Sequence, residues 1–87
     1  MDLPNDLHYR IGQWNGTAHS VIHEAMGIHP TRAFRLYLNY ANACAEVFYL
    51  LEKEKFSDVE EAMNNSLRTF HTYIPHVVRI CFSHCPQ

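Results

Sequence analysis

Residues 33–51 are apolar at every position except Arg35, Asn39, Asn42 and Glu46. Those four are spaced four, three and four apart, so on an α-helix they fall in one narrow stripe. The remaining surface of that helix, roughly two thirds of its circumference, is apolar. A surface helix of a small globular protein shows the reverse balance, with an apolar stripe a little over about 100° wide. This segment must therefore be covered on more than one side. A helical chain that works through contacts is the first expectation.

Three helices are predicted within a single domain covering residues 1–87, over about 5–26, 31–54 and 58–82. In the first, Leu7, Ile11, Trp14, Ala18, Ile22 and Ala25 recur at helical spacing. Asp6 offers an N-terminal cap and a favourable charge. Gly27 is placed as a left-handed C-terminal residue, with Pro30 just beyond. Asn15-Gly16-Thr17 is the one place where this helix could break, because Asn and Gly are both poor helix formers. Thr31 is the expected cap of the second helix, whose core seam reads Ala33, Tyr37, Tyr40, Cys44, Val47 and Leu51. The third opens with a capping-box sequence, Ser57-Asp58-Val59-Glu60. Its seam is Val59, Met63, Ser66, Phe70, Tyr73 or Ile74, Val77 and Cys81, with a bend expected at Pro75.

The fold class is all-α, an antiparallel three-helix bundle. The second helix has more apolar surface than two neighbours can cover. Leu36, Ala43 and Leu50 form one flank of its seam; Phe34, Leu38, Ala41, Ala45 and Tyr49 form the other. One flank is expected between subunits, most simply in a symmetric homodimer. Phe34, Leu38 and Tyr49, with Arg32 and Arg35 beside them, are the candidate partner-binding residues, since aromatics and arginine are enriched among interface anchors.

The net charge is −2 and the Lys and Arg residues are scattered, which argues against nucleic acid as partner. The N-terminus lacks a basic start followed by an apolar run, so no signal peptide is read. The charged and amide stripe argues against a membrane-spanning helix. Three cysteines without an export signal suggest reduced thiols and a cytoplasmic location.

No phosphate-binding loop, nucleophile elbow or carboxylate pair is present, so no enzymatic activity and no cofactor is expected. Seven histidines are many for 87 residues. Protonating them all would reverse the sign of the net charge, so a pH response is conceivable. His19 and His23, four apart on the first helix, could chelate a metal or haem iron. His8, Gly12 and Gly16 share that side. Cys81, His84 and Cys85 could form a second soft-metal half-site. The expected function is a small protein–protein interaction module, a regulator, adaptor or inhibitor of another macromolecule. The alternative is a metal- or haem-binding helical protein using His19 and His23.

Overall fold

The computed structural model describes residues 3–73, and the description below is of these. They form three α-helices: α1 Asn5–Ile28, α2 Pro30–Glu52 and α3 Phe56–Tyr73. Pro75 and the Cys81-Phe82-Ser83-His84-Cys85 segment lie outside the described residues.

α1 runs unbroken through Asn15-Gly16-Thr17. Its amphipathic seam is buried nearly as the spacing predicts: Leu7, Trp14, Ala18, Ile22 and Ala25 are core, with Val21 added, and Ile11 packs at the margin. Packing of that face outweighs the roughly 1 kcal/mol helix penalty of Gly16. Asp6 is not the cap. The carbonyl of Pro4 accepts the first helical bonds, and Asp6 lies inside the first turn, where its charge still faces the positive end of the helix.

The α1–α2 corner is tighter than expected. Gly27 stays helical, and His29 alone separates the two helices. Pro30, rather than Thr31, opens α2 at its first turn. A residue preceding proline is driven out of the helical region by the proline ring. His29 accordingly takes φ −137°, ψ 79°, and this ends α1.

α2 closes with a left-handed turn. The amide of Glu54 donates to the carbonyl of Leu51 and that of Lys55 to the carbonyl of Leu50. This is the double bond pattern that usually places glycine at the left-handed position. Here Glu54 occupies it with φ 57°. The turn delivers the chain directly into α3, which starts two residues earlier than the capping box requires. Val59 donates to the carbonyl of Lys55, so Ser57 already lies within the first turn. Glu60 does not close a box. It forms an ion pair with Arg10 of α1.

Arg10 with Glu60 and Trp14 with Ser66 are matched in ascending order, so α1 and α3 run in the same direction. Thr31 and Arg35 at the start of α2 lie beside Thr72 near the end of α3, so α2 runs antiparallel to it. α1 and α3 each pack more extensively on α2 than on each other. On α3 the predicted seam holds as far as Phe70: Val59, Met63, Ser66 and Phe70 are buried, joined by Ala62, while Ile74, Val77 and Cys81 and the expected helix end at 82 lie outside the described residues.

The seam of α2 differs from the predicted one. Ala33, Tyr40 and Val47 are buried as expected, but their core companions are Leu36 and Ala43. Tyr37 points outward and is 53% exposed, while Leu36 is fully buried. Leu36 has no polar atom to satisfy, whereas Tyr37 buried there would need a partner for its hydroxyl. Cys44, Leu50 and Leu51 are half-buried against the core. The polar stripe is solvated at Arg35, Asn42 and Glu46; Asn39 is half-buried, and its Oδ1 is shielded without a partner among the described residues.

Because Glu54 holds a conformation that a Cβ disfavours by about 1 kcal/mol, Glu54→Gly relieves it. The variant is expected to raise the thermal midpoint by several degrees in a calorimetric or circular dichroism melt. An unchanged or lower midpoint would show that the Glu54 side chain compensates its backbone.

Candidate protein-interaction surface

Two features stand on the finished fold: a polar layer that fixes the rotation of α2, and the face that this rotation leaves uncovered.

The layer crosses all three helices. Buried Trp14 of α1 donates its indole N–H to Ser66 Oγ of α3 at 2.6 Å, and Ser66 donates onward to the carbonyl of Met63 at 2.8 Å. The Trp14 ring packs on Tyr40 of α2 with centroids 5.3 Å apart and a tilt of 52°. The Tyr40 hydroxyl donates to Asn15 Oδ1 at 2.7 Å, and His19 Nε2 lies 3.2 Å from the Tyr40 hydroxyl oxygen. Burial, then a hydrogen bond and charge repulsion involving the Cys44 thiol, push the Tyr40 phenol up to about 12. The phenol is thus held neutral, and α2 is held with Tyr40 turned toward α1.

With Tyr40, Leu36 and Ala43 inward, the flank of Phe34, Leu38, Ala41, Ala45 and Tyr49 faces out. Phe34 is 62% exposed, and Leu38 and Tyr49 are about half exposed. Tyr37 and Phe48 flank the same face and are also exposed, Phe48 at 72%. Tyr37 had been expected in the core seam. Phe34, Leu38, Ala41, Ala45 and Phe48 are spaced four, three, four and three apart, which is the period of a second helix-pairing seam. That spacing is present in the sequence and was the available signal for Phe48.

Arg32 and Arg35 are not gathered with the aromatics. They lie toward α3, lining an open cleft with Thr31 and Thr72. Arg35 is at the edge of the apolar face, one position from Phe34, while Arg32 belongs to the cleft.

His19 and His23 project from the exposed side of α1. His19 is engaged with Tyr40, ring edge to ring face, at 5.2 Å between centroids. Among the described residues no three His, Cys, Asp or Glu side chains are gathered as a metal site would need. Beside these histidines, Gly12 and Gly16 have open space in front of their backbone. Among the described residues no helix is long and apolar enough to cross a membrane. Comparison with known proteins gives no match to a family model, to a curated protein or to a solved structure.

Tyr40→Phe removes the bond to Asn15 and is expected to cost about 1 kcal/mol at neutral pH. A phenol whose pKa is raised on folding stabilises the fold fully below the ordinary tyrosine value of about 10 and loses that contribution as pH rises to about 12. Thermal melts between pH 10 and pH 12 should therefore fall more steeply for the natural protein than for Tyr40→Phe. Parallel slopes would show that another group governs the alkaline loss.

Proposed function

We propose that this protein is a protein–protein interaction module that acts by binding, without catalysis, and that the outward face of α2 joins two copies into a homodimer. The observation that carries this reading is the continuous apolar face of Phe34, Tyr37, Leu38, Phe48 and Tyr49 around Ala41 and Ala45. Singly exposed apolar residues are ordinary on protein surfaces, but a contiguous stripe along more than four turns of one helix is an interaction surface by its chemistry. The rest of the chain supports a scaffold role. α1 and α3 bury the opposite side of α2 and hold it rigid, so the face is presented preformed and little ordering cost is paid on association. As a dimer, the protein would act as a regulator, adaptor or inhibitor of another macromolecule, with two copies of its remaining surface available.

Molecular mass in solution tests the surface. The protein is expected to sediment as a dimer at tens of micromolar. Phe34→Asp and Phe48→Asp, both at exposed positions, should leave helicity and melting cooperativity intact while shifting the mass to that of a monomer. A charge at the edge of the buried interface should weaken association at least tenfold. A natural protein that remains monomeric over the whole concentration range would overturn the reading.

A further inference from the structure

Resting on that dimer, we infer that the two α2 helices pair antiparallel about a two-fold axis level with Ala43, with Ala41 and Ala45 at the crossing, Phe34 opposite Glu52 of the second copy and Arg35 flanking that Glu52. Three independent features of α2 fix this arrangement.

The first is size. Along the outward seam the order is Phe34, Leu38, Ala41, Ala45, Phe48, followed at the same spacing by Glu52. In an isologous interface residue i meets j and j meets i. Reversal about position 43 exchanges Ala41 with Ala45, Leu38 with Phe48 and Phe34 with Glu52. Small residues then meet at the centre and large ones interlock at both ends. Alanines at a crossing let helix axes approach to about 8 Å, the close end of the packing range. A parallel pairing would set Phe48 against Phe48 and Phe34 against Phe34, with a gap at the alanines between two bulky contacts.

Charge gives the second argument. The N-terminal half of α2 carries Arg32 and Arg35 and no acid; the C-terminal half carries Glu46 and Glu52, and Lys53, just past the helix end, lies over the Tyr49 ring at 5.8 Å. Arg35 and Glu52 are both exposed. Antiparallel pairing sets the basic half of one helix against the acidic half of the other, twice, by symmetry. Parallel pairing opposes like charges at both ends.

Area is the third. Four half-exposed aromatics, one leucine and two alanines offer about 500 Å² per copy, hence about 1,000 Å² in total. That is the lower end for a specific interface. It matches a micromolar, reversible dimer, and it requires the whole stripe to be used. A register displaced by one heptad toward the N-terminus leaves Phe48 uncovered and falls short of that area.

Charge reversal tests the arrangement separately from the dimer itself. By sedimentation equilibrium, Arg35→Glu and Glu52→Arg are each expected to weaken dimerisation five- to thirty-fold, because each places two like-charged pairs across the interface. The double variant Arg35→Glu/Glu52→Arg restores opposite charges and should return the dissociation constant to within about threefold of the natural value. The effect of each single variant should shrink in high salt. A dimer that ignores both single reversals, or whose double variant is as weak as the worse single one, overturns the antiparallel register while leaving the dimer standing. A natural protein that is monomeric throughout overturns both. Circular dichroism melts of the variants keep the test independent of folding, since both residues are exposed.

Discussion

The buried indole N–H of Trp14 is the constraint on which the rest of this structure depends. A large aromatic at the centre of a small bundle supplies much of the apolar burial, but its one polar atom must be satisfied away from water. Ser66 of α3 satisfies it, and in doing so sets the height and rotation of α3 against α1. The other side of the ring is covered by Tyr40 of α2, which brings its own hydroxyl into the core and finds Asn15 one residue along α1. Pairing each of these polar atoms restricts how the three helices can be arranged. A purely apolar seam would tolerate several arrangements.

The placement of Tyr40 has a consequence on the far side of α2. A helix that is apolar over most of its circumference can be turned inward at many angles with similar burial. Anchoring Tyr40 beside Asn15 and His19 selects the rotation that buries Leu36 and Ala43 and expels Tyr37, Phe34, Leu38 and Phe48. The outward face is thus a by-product of how the polar layer is satisfied.

Much of this was legible in the chain. The seams of α1 and α3 were readable because each carries one apolar stripe with a solvated remainder, as Leu7 to Ala25 and Val59 to Phe70 show. Helix ends were less legible. Pro4, Pro30 and the left-handed Glu54 set them, where side-chain capping by Asp6, Thr31 and Ser57 had been expected. Backbone turns at short connections override side-chain caps because one or two residues must both end a helix and start the next. The candidate surface was half legible. Phe34, Leu38 and Tyr49 lie on it, Tyr37 was assigned inward, Phe48 was not singled out, and Arg32 is directed to the cleft with Thr72.

The sequence by itself determined three helices, the approximate extents of the first two and the start of the third, and an excess of apolar surface on the second. These follow from periodicity and composition, which are properties of each segment alone. Which side of α2 became core was decided only by the tertiary structure. Periodicity fixes the relative angles of residues on a helix but not its rotation about its own axis. When nearly every direction is apolar, that rotation is set by the few polar atoms that must find partners on other helices, here Trp14 with Ser66 and Tyr40 with Asn15.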